Sequence, residues 1–292
     1  MAITAALVKE LRERTGAGMM DCKKALIETD ADLEAAIDLM RASGAAKAAK
    51  KAGRIASEGL VSVEVNDNNK SAAILEVNSE TDFVAKGAAF IDFVNKLTKL
   101  ALKNMPSNIE EFLAQTLDTG ETVDKARENI IAKIGENISV RRVKVVKAGN
   151  GTIGSYEHGG RIAVLTHLAE DNATLAKDMA MHIAASKPEC VNEDQLSEEL
   201  IERERAIFIE QAKESGKPDN IIEKMIVGRM KKFVNEVTLY GQAFIKDPDT
   251  SVGKLVKSKN AKVESFVRFE VGEGIEKKED NFVEEVMAQA QN

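Results

Sequence analysis

The sequence has little of several residue types that specialised functions need. Its 292 residues include no Trp, two Tyr and ten Phe, so aromatic platforms for stacking bases or sugars would be hard to build. The two cysteines, Cys22 and Cys190, are far apart and have no Cys or His at metal-ligand spacing, so we expect neither a disulfide framework nor a metal site. His158, His167 and His182 are the only histidines, and no nucleophile motif accompanies them. Enzymatic chemistry is therefore disfavoured.

Long apolar runs and an excess of basic charge are also missing. No window approaches the roughly 18 apolar residues of a membrane span, and the first residues lack the basic and apolar regions of a signal peptide. Lys and Arg number 41 against 48 Asp and Glu, which gives a net charge of −7, the wrong sign for a protein held to phosphates. We expect a cytoplasmic protein that binds neither membranes nor nucleic acid directly and uses no cofactor.

The remaining pattern predicts an α+β protein of about two domains or more. Apolar residues at helical spacing predict a three-helix bundle in residues 1–55, with Thr4 and Asp30 as helix caps. Residues 56–148 and 149–275 each show two strands, then helices, then a closing strand. This repeated order predicts a core of two related subdomains, each a small antiparallel sheet with helices on one face.

Two further helical segments complete the predicted fold. The insertion 192–237 is divided by Gly216-Lys217-Pro218 and predicts an antiparallel helical hairpin. The apolar seam is expected to contain Leu196, Leu200 and Ile207 from the first arm and Ile222, Ile226, Met230, Phe233 and Val237 from the second. Residues 276–292 predict a C-terminal helix that is too short to persist alone.

Two motifs have competing interpretations. Residues 149–154 fit the GxGxxG spacing of dinucleotide-binding loops, but the pattern predicts that a strand and not a helix follows, so we expect a joint between subdomains. The cations Lys47, Lys50, Lys51 and Arg54 fall on one helical stripe. That stripe is either a solvated helix face or a contact strip for an acidic partner.

The segment Thr81-Asp82-Phe83-Val84 lies where a predicted strand ends and a helix begins. In one interpretation Thr81 or Asp82 caps the helix and Phe83 belongs to the core. In the other, Phe83 is exposed and inserts into a groove of a partner, with the carboxylate of Asp82 beside it. The local sequence leaves both interpretations open.

Three other positions are candidates for exposed contacts. The Met19-Met20 pair predicts one methionine packed in the bundle and one exposed as an adaptable contact. His158 lies at a predicted hairpin tip, where it is either solvent-exposed or in contact with a partner. His182 is expected to be a buried helix residue with its hydrogen bonds satisfied.

Two stretches resemble the signatures of the bacterial elongation factor Ts family. They are residues 11–26, which read LRERTGAGMMDCKKAL, and residues 76–86, which read EVNSETDFVAK. The similarity continues through residues 154–159, 181–188 and 268–274. The resemblance implies a guanine-nucleotide exchange factor for elongation factor Tu, which acts without bond chemistry of its own, and a ubiquitin-associated-like N-terminal bundle.

The resemblance also implies roles for particular residues. In this family the TDFV segment enters the GTPase near its magnesium and helps to displace the ion, which assigns that role to Thr81, Asp82, Phe83 and Val84. Contacts with the GTP-binding domain are implied for Arg12, Met19 and Met20, together with His158 and the C-terminal helix. The implied partner is elongation factor Tu in its GDP-bound and nucleotide-free forms.

Two functions of other classes stay open at this point. One is a ribosome- or RNA-associated protein that uses the basic stripe 47–54, which the net charge opposes. The other is a hydrolase built around Glu157 and His158, which the lack of a nucleophile opposes.

Overall fold

A computed structural model describes residues 3–276 of the chain, apart from residues 16 and 215 and the side chains of residues 45–47. The predicted C-terminal helix in 276–292, beyond its first residue, and the side chain of Lys47 lie outside the described residues. None of the helices in the described part is long and apolar enough to cross a membrane.

Three helices form the N-terminal bundle. They are α1 (Ala5–Thr15), α2 (Met19–Glu28) and α3 (Leu33–Lys51). Their shared core contains Val8, Leu11, Cys22, Leu26 and Ala36. These positions recur at the three- and four-residue spacing that places side chains on one helix face, so the predicted bundle is confirmed.

The two predicted caps of the bundle have different outcomes. Thr4 caps α1, since its hydroxyl oxygen accepts from the N–H of Leu7 at 3.2 Å. The prediction that Asp30 caps the third helix is wrong: Asp32 Oδ1 accepts from the N–H of Ala35 at 3.0 Å. Asp30 has a φ of 51° and belongs to the turn after α2, so the helix begins two residues later than the pattern predicts.

The first half of the core is a three-stranded sheet with four helices. Its elements are β1 (Glu58–Val65), β2 (Ser71–Ser79), α4 (Asp82–Ala85), α5 (Ala88–Asn104), α6 (Ile109–Ala114), α7 (Val123–Ile134) and β3 (Ile138–Lys147). The strands are antiparallel in the order β1-β2-β3. The central strand is thus the second one, and the third strand joins it after the helices.

The second half repeats this connectivity with a helical insertion. Its elements are β4 (Thr152–His158), β5 (Ile162–Leu168), α8 (Ala173–Ser186), α9 (Glu198–Lys213), α10 (Asp219–Val237), β6 (Ala243–Phe244), β7 (Asp247–Ser251), α11 (Val252–Ser258) and β8 (Val263–Glu270). The larger sheet has the order β4-β5-β8. The α+β prediction is confirmed, and the subdomain boundaries at residues 148 and 275 stay predictions.

The two larger sheets pack face to face between layers of helices. One face of β2 contributes Leu75 and Val77 to a core with Phe90 and Leu97 of α5. The opposite face contributes Ile74 to a second core that contains Val61 of β1 and, from the other half, Ile153, Leu165 and Val271. Since both faces of β2 are covered, every residue from 72 to 79 is buried.

The GxGxxG run leads directly into β4, as predicted, and its last glycine serves packing. A Cβ added at Gly154 would lie 2.2 Å from the carbonyl carbon of Ala176 in α8, a distance that no side chain tolerates. Thr166 of β5 donates to the carbonyl oxygen of the same Ala176 at 2.7 Å. The glycine therefore allows α8 to lie directly on the sheet.

The helical hairpin is present, and Ile226 and Phe233 of its second arm belong to the seam as predicted, whereas the first arm differs from the prediction. The rings of Phe208 and Phe233 meet edge to face at 6.4 Å, and Ala212 and Ile226 are the buried residues of the two arms. Ile207 is 40% exposed, so its place in the predicted seam is wrong. In the first arm, α9, Phe208 and Ala212 occupy the inner face in place of Ile207.

A buried carboxylate connects the two halves. Glu76 of β2 is fully buried and accepts hydrogen bonds from Arg141 at 3.1 Å, from Nε of Arg142 and from the backbone N–H of Gly272 at 2.9 Å. Arg142 also donates to the carbonyl oxygen of Glu270 at 3.0 Å. Both arginines belong to β3, whereas Glu270 and Gly272 come from the end of β8, so the network bridges the sheets.

The basic stripe requires a correction at Lys51. Lys50 is exposed, but Nζ of Lys51 donates to the carbonyl oxygen of Gly135 at the end of α7. Gly135 has a φ of 90° and ends that helix. Arg54 lies beyond the end of α3 and pairs with Glu80 at 3.5 Å. The stripe is therefore partly used to attach the bundle to the core.

Lys51→Ala should lower the free energy of unfolding by about 1 kcal/mol, because it removes a charged donor from the carbonyl end of a helix. Lys50→Ala is the matched control and should change the same free energy by less than about 0.5 kcal/mol. Urea denaturation followed by circular dichroism measures both. Equal effects of the two substitutions would contradict the contact with Gly135.

Candidate functional site

The strand-to-helix corner after β2 is an ordered structure. Thr81 caps the one-turn helix α4, since its hydroxyl oxygen accepts from the N–H of Val84 at 3.4 Å. Ser79 donates its hydroxyl to the carbonyl oxygen of Thr81 at 2.9 Å. Val84 packs against the core of the first half, and Ala85 is buried in it. Of the two residues predicted as the cap, Thr81 and Asp82, Thr81 is the one that caps the helix.

Phe83 projects from this corner into solvent. Its side chain is 84% exposed, whereas Phe90 on α5 is fully buried. The interpretation of Phe83 as a core residue is therefore wrong, and the exposed-ring interpretation describes the structure. An exposed ring on an ordered backbone offers apolar area that a partner buries with little loss of conformational entropy.

Asp82 stands beside the exposed ring and does not cap the helix. Its carboxylate pairs with the ammonium of Lys86, one turn later, at 2.6 Å. The hydrogen bond from Lys86 holds the pKa of the Asp82 carboxyl below its usual value, so the group is ionised at neutral pH. The corner therefore presents a ring and a negative charge on adjacent residues.

The back of the corner is held by residues that no local sequence pattern indicates. Thr81 donates its backbone N–H and its hydroxyl to the carboxylate of Glu136 at 3.0 and 2.7 Å. Glu80 accepts from the backbone N–H of Asn137 at 2.6 Å. Glu136 lies 55 positions after Thr81, and the only local signal there was the helix-ending Gly135.

The groove on the N-terminal bundle brings three predicted contact residues together. Arg12 of α1 and Met19 and Met20 of α2 line a groove of about 380 Å³. Both methionines are exposed, at 60% and 64%, so the prediction that one of them packs in the bundle is wrong. The core-facing positions of α2 begin at Cys22, which leaves the first turn of the helix outside the core.

His158 lies apart from these residues, at the tip of the β4–β5 hairpin. Its side chain is exposed, as predicted, and Nδ1 is 3.3 Å from the hydroxyl of Tyr156. Glu157 accepts from the backbone N–H of Val63 at 2.5 Å, and partial burial raises the pKa of its carboxyl above the usual value. Glu157 therefore contacts β1 and not His158, which removes the geometric basis for a hydrolase at this turn.

His182 is buried on α8, and both of its ring nitrogens have hydrogen-bond partners. The prediction of a buried, hydrogen-bonded helix residue is confirmed. Nδ1 accepts from the backbone N–H of Ile245 at 3.2 Å, so Nε2 carries the proton and donates to Gln242 at 2.9 Å. Burial lowers the pKa of His182 below its usual value, against the opposing effect of the Gln242 hydrogen bond. The residue serves packing at the base of the hairpin.

Comparison with known proteins gives one consistent result. The family model described as Elongation factor TS matches residues 80–273. A protein named Elongation factor Ts from Ruthia magnifica subsp. Calyptogena magnifica is 69% identical over 291 residues, which cover 100% of this chain and 98% of the relative. Proteins with the same name are 56% identical in Alkalilimnicola ehrlichii (99% of both chains) and 57% in Legionella pneumophila strain Paris (98% of both).

Phe83→Ala should change the free energy of unfolding by less than about 0.5 kcal/mol, because the ring makes little contact with the rest of the chain. Phe90→Ala, the same substitution in the core, should lower it by about 3 to 5 kcal/mol. Urea denaturation of the two variants makes the comparison. A large loss of stability in Phe83→Ala would show that the ring is buried in solution.

The state of His182 predicts a pH dependence of stability. The unfolded histidine has a pKa of about 6.5, and the pKa in the folded chain is lower. As the pH falls below about 6.5, the unfolded chain therefore takes up a proton that the folded chain does not, and the free energy of unfolding decreases.

In His182→Gln, the loss of stability between pH 7.5 and pH 5.5 should be smaller than in the wild type. His158→Gln removes an exposed histidine and should leave the wild-type loss unchanged. Urea denaturation at the two pH values measures each loss. The assignment of the effect to His182 fails if all three proteins lose the same amount.

Proposed function

The chain belongs to the elongation factor Ts family, and we propose that it releases GDP from elongation factor Tu by disturbing the magnesium site of that GTPase. The observation that carries this proposal is the exposed ring of Phe83, beside the ionised Asp82, on a corner with a fixed backbone. The chain supplies binding energy and makes or breaks no covalent bond.

The magnesium ion is the part of a bound nucleotide's site at which a small displacement weakens binding most. The ion demands near-ideal octahedral geometry and is shared between protein oxygens and phosphate oxygens. A ring that enters beside the ion displaces the segments that support it, and the ion then holds the phosphates less well. The carboxylate of Asp82 places a negative charge at the same position, where it competes with phosphate oxygens for the ion.

Exchange then follows from the reciprocity of coupled binding. A factor that binds the nucleotide-free GTPase better than the GDP-bound form weakens GDP binding by the same ratio by which GDP weakens the binding of the factor. The chain accelerates release in this way and is itself displaced when a new nucleotide binds. It therefore acts on both the GDP-bound and the nucleotide-free forms.

The other exposed residues are proposed to anchor the partner. Arg12, Met19 and Met20 line one groove, and methionines adapt to irregular surfaces. His158 presents its ring from a separate hairpin. Contacts at these positions keep the GTPase bound while its nucleotide leaves. They therefore determine the affinity for the GTPase, whereas Phe83 determines the rate of GDP release.

The ribosome- or RNA-binding alternative has less support from the basic stripe. Lys51 donates to Gly135, and Arg54 pairs with Glu80. Two of the stripe's four cations are thus engaged with the core of the protein, and phosphate binding would have to compete with those contacts.

Phe83→Ala should slow GDP release from elongation factor Tu by about tenfold at millimolar Mg²⁺, as expected when the central ring of an interface is removed. Asp82→Asn keeps the helix cap, because Thr81 provides it, and so tests the charge alone. Stopped-flow release of a fluorescent GDP measures both variants. Their deficits should shrink when EDTA removes the ion in advance.

Ile245→Ala serves as the control, because Ile245 is an exposed apolar residue, at 44%, on the second half of the core. This variant should accelerate GDP release from elongation factor Tu as much as the wild type does. Full activity of Phe83→Ala, or a deficit that is equally large in EDTA, would contradict an action on the magnesium site.

A further inference from the structure

The turn between α7 and β3 contacts the candidate site from behind. We call residues 135–137 the clasp. Within it, Glu136 accepts the backbone N–H and the hydroxyl of Thr81 at 3.0 and 2.7 Å. Asn137 donates its backbone N–H to Glu80 at 2.6 Å. The clasp thus binds the two residues that immediately precede Asp82 and Phe83.

The same turn is attached to the chain that leaves the N-terminal bundle. The side-chain amide of Asn137 donates to the carbonyl oxygen of Arg54 at 2.7 Å, and Lys51 donates to the carbonyl oxygen of Gly135. Asn137 is buried, at 6% exposure. These contacts fix the clasp to a second element, so it does not move freely with the corner.

The corner needs external support because it is short. The helix α4 has four residues, and a single turn has too few internal hydrogen bonds to be stable alone. Phe83 adds no packing, since its ring is in solvent. Val84 and Ala85 anchor the C-terminal side of the turn in the core, and Glu136 holds the N-terminal side.

We propose that Glu136 is a positioning residue for nucleotide exchange, which fixes the direction in which the corner presents Phe83 and Asp82. This inference rests on the proposed function of that corner. Without the Glu136 carboxylate, α4 keeps its anchor at Val84 and Ala85 but pivots about it. The ring then samples directions that do not enter the partner, while the separate anchoring residues still bind.

The proposal predicts a specific pattern of kinetic effects. Glu136→Ala should lower the maximal rate of GDP release at saturating exchange factor by at least about fivefold, the lower end of typical coupling between sites. The affinity for nucleotide-free elongation factor Tu should change much less. Glu136→Gln should give an intermediate rate, because one amide oxygen replaces two carboxylate oxygens as acceptor for Thr81.

Glu128→Gln is the matched control, on the helix α7 that precedes the clasp. The carboxylate of Glu128 pairs with Lys125 at 2.8 Å and does not contact the corner. This variant should match the wild type in both rate and affinity. Thermal melts of all three variants show whether any change in rate follows from unfolding.

A second measurement tests the clasp without the GTPase. The chain contains no Trp, so Phe83→Trp introduces a single Trp at the tip of the corner, whose fluorescence can be excited without that of the two Tyr. Time-resolved anisotropy of that residue reports local motion on the nanosecond scale. The fast component should increase in amplitude when Glu136→Ala is added and stay unchanged when Glu128→Gln is added.

The two measurements separate the possible failures. If the anisotropy does not respond to Glu136→Ala, or if the exchange rate falls only in proportion to unfolding or together with affinity, Glu136 does not position the corner. If the wild-type chain itself fails to accelerate GDP release, the proposed function is wrong. In that case the anisotropy result still decides whether the clasp orders the corner.

Discussion

The relation between the two halves of the core depends on the buried carboxylate of Glu76. Apolar contacts between the two sheets are strong but non-directional, so they do not determine how far one sheet slides over the other. A buried carboxylate is costly unless its oxygens have partners. Arg141 and Arg142 supply them from one half and Gly272 from the other. A slide of one sheet over the other would separate Glu76 from Gly272 and leave the carboxylate with fewer partners.

The candidate site lies at the end of the same strand, and this placement explains its order. β2 is covered on both faces from residue 72 to 79, so it is held more firmly than an edge strand. Four residues after the end of the strand, Phe83 is almost fully exposed. The exposed ring follows closely after a buried strand, so its backbone is anchored in the core. Glu136 holds Thr81, which lies between the strand and the ring.

Local patterns predicted the features that neighbouring residues determine, such as the Thr4 and Thr81 caps, the strand after the GxGxxG run and the repeated order of elements. The errors at Asp30, at the Met19-Met20 pair and at Ile207 arose because local spacing does not show where a helix begins or which element packs against it. The site was located from a motif, but local sequence did not decide whether Phe83 is exposed. Its support by Glu136 is a contact across 55 positions, which no spacing rule reveals.

The helical hairpin has a consequence for how the size of the molecule is measured. Within the described part of the chain, neither α9 nor α10 packs extensively against an element other than its partner arm. α10 has 19 residues and is therefore about 28 Å long at 1.5 Å per residue. An arm of that length increases the hydrodynamic friction of the molecule but adds little to its mass. The monomer should diffuse more slowly than a sphere of 292 residues, so early elution from a sizing column is not by itself evidence of a dimer.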